Sequence, residues 1–372
     1  MKQVGVYLDG LSINFRPRNF DWTYVEKKIP RIAEWVPDIR FVQQKSRLVA
    51  LQANCKTVYM SVVRRLRMPV STRVSITSRL DAGELARSGC RVVYSQRALP
   101  LNCKDFPVIW MHAVVDPEMT MSYFGMSQAE SDEFAAAKVD LFRKATVVQV
   151  CTEAEAERHR RSYPDIADRF VPVPLFAPYL RSAPESILEK HRKASPVRLL
   201  FVGNDARRKG LQETLSAYMA LPESVRRATT FTIISHFDGG KVTVPDDPSI
   251  TVHHGLAQAD VIEYMRTSQV LVNVAHHESY GLIFPEAMSQ GTLCIGPDWE
   301  VQRELFDQGR AGINVRCQVS LIRAVLLRAI EDEEYRLRLA TSAWHRFNKL
   351  YAPAVVAEKY ADLFRSVAAR TD

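Results

Sequence analysis

Short apolar runs recur along this chain with helical patterns between them, and that alternation restricts the fold more than any other feature. Val4–Leu8, Cys90–Tyr94, Val108–Met111, Thr146–Val150 and Phe170–Val173 read as strands. Val197–Val202, Thr230–Ser235, Ser249–His253, Val270–Val274 and Thr292–Ile295 form a second series. Asp81–Ser88 reads as a helix closed by Gly89, and Thr152–Arg161 as a helix with Thr152 as N-cap and Glu155 completing a capping box. In the second series Leu211–Ala220, Asp260–Arg266, Val301–Phe306, Leu321–Ala329, Tyr335–Lys349 and Ala354–Val367 read as helices. Strands alternating with helices mean βαβ units and mostly parallel sheets. The polar stretch Arg181–Pro196 reads as a linker, and 372 residues suit two domains better than one. The expected architecture is two doubly wound α/β domains, with ligands in the cleft at the carboxyl ends of the strands.

Composition sets the surroundings. Apolar residues make up 47% of the chain, ample for a core in each domain. No run of about 18 apolar residues could span a bilayer, and Met1–Leu8 is too short and too weakly apolar for a signal peptide. Cys55, Cys90, Cys103, Cys151, Cys294 and Cys317 show no CxxC spacing and no metal-ligand pattern. Several sit in apolar runs, where cysteine behaves as a small hydrophobe. These features fit a cytoplasmic protein, or one peripheral on the inner face of a membrane.

One segment carries essentially all of the formal net charge of +8. From Lys45 to Arg97 the basic residues, Arg64, Arg65 and Arg67 among them, meet only Asp81 and Glu84 as acids. Leu48, Leu51, Tyr59, Val62, Val63 and Leu66 interleave with them. Such a segment can lie on anionic lipid, hold an acidic acceptor, or be a solvated helix face. Nucleic acid is not expected, because no stacking-aromatic or zinc pattern accompanies the charges.

Two stretches carry chemistry. His277–Gly296 reads HESYGLIFPEAMSQGTLCIG, with Glu278 and Glu286 flanking Gly281, the apolar Leu282–Phe284 and Pro285. The order predicts a polar loop that turns at glycine and a helix from near Phe284 that Gly291 closes. A loop feeding a helix N-terminus offers backbone N–H groups and the positive end of the helix dipole, which suits a phosphate. A glutamate on each side can accept hydrogen bonds from hydroxyls, and phosphate plus hydroxyls describes a sugar nucleotide. Gly203–Gly210, GNDARRKG, follows a strand and opens a helix. Adjacent cations at the mouth of a sheet can hold a diphosphate, arginine as a fork and lysine as a point charge. The loop lacks GxGxxG and GK[ST], so neither a dinucleotide fold nor a P-loop is indicated. Asp9-Gly10 ends the first strand in a tight loop, a ligand loop or a plain turn. His276 and His277 adjoin Glu278, but adjacent residues point apart and no third ligand has a metal spacing.

FVGNDARRKG followed about 70 residues later by HESYGLIFPEAMSQG resembles the GT-B glycosyltransferases of family 4. That family carries an E-x7-E motif, matched by Glu278 and Glu286, and a basic pair around K-G, matched by Arg208, Lys209 and Gly210. The R-K-G form resembles the lipopolysaccharide-core glucosyltransferases. Many members place arginine directly after the first glycine, where this chain has Asn204, so Arg207 or Arg208 must supply that charge. The resemblance covers about Val197 to Ala329. Before that it rests on the strand ending at His112 and the TEAEAERHR helix.

The resemblance implies a GT-B fold, two Rossmann-like domains facing a central cleft. Residues 1–182 would bind the acceptor and 197–350 the donor, with the final helix, about 353–372, packing back on the first. Glu286 would accept from the donor ribose and Glu278 from hydroxyls of the transferred sugar. Gly203, Asn204 and Ser279 would line the donor, and backbone N–H groups of Tyr280, Gly281 and Leu282 would face sugar and phosphate. His254, Gly255 and Leu256 would hold the base. Arg208 and Lys209 would neutralise charge on the leaving phosphate, His112 would contact the sugar, and Asp9-Gly10 would form an acceptor or phosphate loop. The reaction would retain configuration and need no cofactor and no essential metal. Its partners would be a nucleotide-sugar donor, a glycan or lipid-linked envelope acceptor and, through Arg64, Arg65 and Arg67, an anionic membrane surface. A non-catalytic glycan- or partner-binding module of the same fold is the alternative, or a GT-B enzyme of another reaction type.

Overall fold

The structure, a computed structural model, describes residues 4–9, 28–42, 86–95, 106–111, 126–178, 184–192, 195–235 and 242–371. The chain divides into two compact units, Met1–Phe176 with Pro353–Asp372, and Ala177–Ala352. No helix among the described residues is long and apolar enough to cross a membrane.

In the first unit β1 (Val4–Asp9), β2 (Ile39–Val42), β3 (Cys90–Ser95), β4 (Val108–Met111), β5 (Val147–Val150) and β6 (Phe170–Pro172) form one parallel sheet in the order β2-β1-β3-β4-β5-β6. Runs such as Val147–Val150 are buried along their whole length, as expected of parallel strands covered on both faces. Helix α1 (Gln128–Lys144) was not anticipated. Only Ser131 and Phe142 of it are buried, so it shows little apolar period. Its signal is the cap: Ser127 Oγ accepts from Glu130 N, and the Glu130 carboxylate accepts from Ser127 N at 2.9 Å. Helix α2 (Glu153–Ser162) has the expected Thr152 cap at 3.2 Å, but Glu155 reaches one residue further back, accepting from Cys151 N at 2.9 Å.

The last helix, Pro353–Ala368, belongs to this unit. Val356, Ala357, Tyr360, Ala361, Phe364 and Val367 recur at helical spacing and are buried. A buried polar hub fastens it: Gln149 Nε2 donates to Tyr360 Oη at 2.8 Å and to Val173 O at 2.9 Å, while Tyr94 Oη donates to Gln149 Oε1 at 2.7 Å. Leaving any one of these groups unpaired in an apolar interior would cost about 1–3 kcal/mol. Arg365 adds a forked pair with Asp38 at 2.8 and 2.9 Å.

In the second unit β7 (Val197–Val202), β8 (Thr229–Ile234), β9 (Ile250–His253), β10 (Val270–Val272), β11 (Leu293–Pro297) and β12 (Ile313–Val315) form a parallel sheet in the order β12-β11-β10-β7-β8-β9. The order reverses between β7 and β10, which creates a crevice at their carboxyl ends. Around this sheet lie α3 (Pro184–His191), α4 (Leu211–Met219), α5 (Glu223–Arg227), α6 (Gln258–Thr267), α7 (Ile283–Ser289), α8 (Glu300–Leu305), α9 (Val319–Glu331) and α10 (Glu333–Leu350). One core joins Leu199, Phe201, Leu215, Phe231, Val272, Ile295 and Leu326.

The stretch read as a linker carries α3. Among its described residues apolar burial is limited to Ile187, so no amphipathic pattern announces a helix. Its anchors are polar. Lys190 Nζ donates to Gln290 O at 2.9 Å and Thr292 Oγ1 at 3.0 Å, and His191 Nε2 donates to Gly291 O at 2.9 Å. Arg336, 2% exposed, donates to Ala329 O, Ile330 O and His191 O, joining the end of α9 to the end of α3.

His191 is fully buried, and its burial, with Lys190 beside it, pulls its pKa from 6.5 to about 3. The unfolded chain takes up a proton there that the folded chain refuses. Its contribution is therefore complete above pH 6.5 and is lost as pH falls toward 3. Lys190, lowered to about 7 by burial, acts in the same sense at higher pH. Between pH 6.5 and about 5, urea unfolding should show stability falling by up to about 1.4 kcal/mol per pH unit, and His191→Gln should flatten that limb. An unchanged slope in the variant removes His191 from the account.

Candidate functional site

The loop after β7 and the loop after β10 meet at the reversal of strand order. Main-chain contact comes first. Gly210 sits at φ +72°, where a Cβ would lie 2.2 Å from Val274 O, so only glycine lets the two loops approach. Between Gly203 and Gly210 the chain turns tightly, with Lys209 N donating to Asp205 O at 2.9 Å and Leu211 N to Ala206 O at 3.0 Å. His276 N then donates to Arg208 O at 2.8 Å, and Arg208 Nη1 to His277 O at 2.7 Å. Arg208 thus links the loops through backbone and side chain together. Asp205 aims it, accepting from Arg208 N and Nε, each at 3.3 Å.

Charge is concentrated on this link. Lys209 Nζ donates to Glu278 Oε2 in a close ion pair, and Arg208 Nη1 lies 3.9 Å from the same oxygen. The three side chains are 13%, 9% and 8% exposed, so water screens them little. Burial pushes the Glu278 carboxyl up, but Lys209 and Arg208 outweigh it and hold the group below its ordinary range. Burial is the largest influence on Lys209 and lowers it, against the pull of Glu278. Asn273, fully buried, donates from Nδ2 to Val202 O at 2.8 Å, while its Oδ1 accepts no hydrogen bond among the described residues.

Gly281, at φ +77°, turns the chain from Glu278 into α7, and a Cβ there would strike the Phe284 ring at 2.7 Å. Tyr280 is buried, its carbonyl accepting from Gln302 Nε2 at 2.9 Å. Leu282 is the N-cap residue of α7 and has no side-chain cap. Glu286, in the first turn, is 6% exposed and accepts from Gln258 Nε2 at 3.4 Å. A second chain of contacts runs along the sheet's carboxyl edge: His254 Nδ1 to Ser235 O at 2.6 Å, and Ser235 Oγ to Gly203 O at 2.5 Å. His254, Gly255, Asn204 and Arg207 are exposed, Leu256 and Ser279 half-buried.

The structure therefore gathers Gly203, Arg208, Lys209 and Glu278 at one point and links His254 to Gly203 through Ser235. Asp9 closes β1, next to β3 where the first sheet reverses its order. Gly10, His112, Arg64, Arg65 and Arg67 lie outside the described residues.

Sequence reasoning missed Asp205, Asn273, Ser235, Gln258 and Gln302. Asn273 alone had a signal, a polar residue inside the apolar run VLVNVA. Glu213, His276 and Cys317 place their ligand atoms within 4.8 Å of one another. They stand far apart in the chain, so no local spacing could reveal them. His276 is pushed up to about 10, first by Cys317 and then by Glu213.

Residues 196–332 match the family described as "Glycosyl transferases group 1". The chain is 26% identical over 160 residues to the lipopolysaccharide glucosyltransferase WaaG of Escherichia coli (strain K12), an alignment spanning 40% of this chain and 42% of that enzyme. Among solved structures, sucrose-phosphate synthase from Thermosynechococcus elongatus covers 99% of this chain and 100% of its own at a TM-score of 0.68 and 14% identity. Anabaena HepE in complex with UDP-glucose covers 97% and 99% at 0.62 and 13%. The chain has the GT-B fold, and within its second unit residues 196–332 are similar to the group 1 glycosyltransferases.

Proposed function

We propose that this protein transfers a sugar from a nucleoside-diphosphate sugar to an acceptor with retention of configuration, and that UDP-glucose is its donor. The observation that carries the reading is the Arg208–Lys209 pair gathered on Glu278 where the second sheet reverses its strand order. That crevice is where doubly wound sheets bind ligands. HepE, solved with UDP-glucose, and WaaG, a glucosyltransferase by name, support the choice of donor.

A diphosphate competes with Glu278 for both cations. Glu278, drawn away from them, accepts hydrogen bonds from hydroxyls of the sugar. As the bond between the anomeric carbon and the phosphate oxygen breaks, negative charge grows on the diphosphate. Arg208, oriented by Asp205 and by the opposite loop, and Lys209 beside it stabilise it. Side-chain cations rather than a metal ion carry that step. Glu286 accepts from the ribose, with Asn204, Ser279 and the backbone of Tyr280–Leu282 along the donor and His254-Gly255-Leu256 at the base. The first unit takes the acceptor, a glycan or lipid-linked molecule of envelope type, and His112 and Asp9-Gly10 are its candidate contacts. The basic stretch around Arg64, Arg65 and Arg67 holds an anionic acceptor or a membrane surface.

Lys209→Ala and Arg208→Ala should each lower the rate of UDP release from UDP-glucose by about 10²–10³-fold, the scale for losing one preorganised charge-stabilising group. Full turnover in either variant contradicts the leaving-group role. Glu286→Ala should weaken UDP-glucose binding by about 1–3 kcal/mol in calorimetry, and unchanged affinity removes it from the site. In a thermal-shift comparison of UDP-, GDP-, ADP- and dTDP-sugars, UDP-glucose should raise the melting temperature most. A larger rise with another nucleotide replaces the donor named above.

A further inference from the structure

We infer that Glu213, His276 and Cys317 form a binding site for a single thiophilic divalent cation, best matched by zinc. The three come from separate elements of the second unit. Glu213 lies in the first turn of α4, His276 in the loop after β10, and Cys317 two residues beyond β12. His276 Nε2 is 2.9 Å from Glu213 Oε1 and 3.7 Å from Cys317 Sγ, and all three donor atoms fall within 4.8 Å of one another. Zinc bound tetrahedrally at about 2.0–2.3 Å sets nitrogen–sulfur and nitrogen–oxygen edges of about 3.6 and 3.3 Å. The two edges at nitrogen lie close to that geometry, and the thiol and carboxylate, within 4.8 Å of each other, close on the ion.

The arrangement does not suit a nucleophile relay. There the thiol and the acid occupy opposite nitrogens of the imidazole. Here carboxylate and thiol both face Nε2. A proton on that nitrogen can be shared between two acceptors, whereas a cation satisfies all three donors at once. Sulfur, imidazole and carboxylate together favour zinc over magnesium or calcium, which take oxygen. Cys317 Sγ lies close to Gly210, where an added Cβ would sit 3.0 Å from it. Arg207 also acts electrostatically on Glu213, in the same direction as His276. Three protein donors leave a fourth position for water or an exogenous anion.

The site stands beside the Arg208–Lys209–Glu278 cluster and supplies none of its chemistry. Its effect is positional. His276 N donates to Arg208 O at 2.8 Å, so a cation on His276 pins the segment that runs into Glu278.

The test is cobalt titration of the full-length protein after dialysis against a chelator. A stoichiometric amount of Co²⁺ should produce visible bands of a four-coordinate ion and a near-ultraviolet thiolate-to-cobalt band, and Zn²⁺ should bleach both. Cys317→Ser should abolish the near-ultraviolet band. His276→Gln should weaken Co²⁺ binding by more than the roughly 10–100-fold that even an outer-shell partner is worth. Absence of a thiolate band, or its persistence in Cys317→Ser, overturns the proposal. Should Cys317→Ser fail to fold by circular dichroism, His276→Gln decides, and an unchanged spectrum and affinity there overturn it equally.

Discussion

The second unit depends on two loops touching. The loop after β7 and the loop after β10 leave adjacent, hydrogen-bonded strands whose chain connections run in opposite directions, so no connecting segment draws the loops together. Gly210 against the Val274 carbonyl removes the space between them. Arg208 then spans the contact twice, accepting through its carbonyl and donating through its guanidinium. Once the loops are this close, Lys209 and Glu278 have little alternative to meeting. The ion pair follows from the backbone contact. By itself a buried pair is weak evidence for stability, since desolvation offsets its attraction. On the proposed function it is stored charge, held in place for something more negative than a carboxylate.

The alternation of strands and helices was legible in the sequence because burial on both faces of a parallel sheet leaves near-continuous apolar runs. Val197–Val202 and Thr146–Val150 could hardly be anything else. Element ends moved by a residue or two, as with Leu293–Pro297 against Thr292–Ile295, because side-chain pattern does not mark where ladder hydrogen bonds stop. The elements missed were those with little apolar period. Helix α1 is capped at Ser127 yet mostly exposed, and α3 is anchored by lysine, histidine and a buried arginine. Charged side chains read as surface until the carbonyls that receive them are known, and those carbonyls lie some 100 residues away.

The candidate site divides in the same way. Arg208, Lys209, Glu278 and Glu286 were legible because glycines and neighbouring elements mark the loops that carry them. Asp205, Ser235 and Gln302 were not, because each acts on a backbone group or a side chain that only the fold brings near. Glu213, His276 and Cys317 are the extreme case. Their convergence depends on the start of α4 lying beside the chain that leaves β10 and β12, which no spacing in the sequence expresses.

Arg336 has one more consequence. It lies under the surface with its guanidinium spread over the last carbonyls of α9 and the end of α3. The short helix before β7 is therefore a wall of the second unit rather than a tether leading to it. A fragment begun at Val197 would open the bed of α3 to solvent: the carbonyls of Gln290 and Gly291, the Thr292 hydroxyl, and one side of Arg336. The natural seam of this protein lies upstream of α3, near the Ala177 boundary, and grafting the unit onto another chain means cutting there.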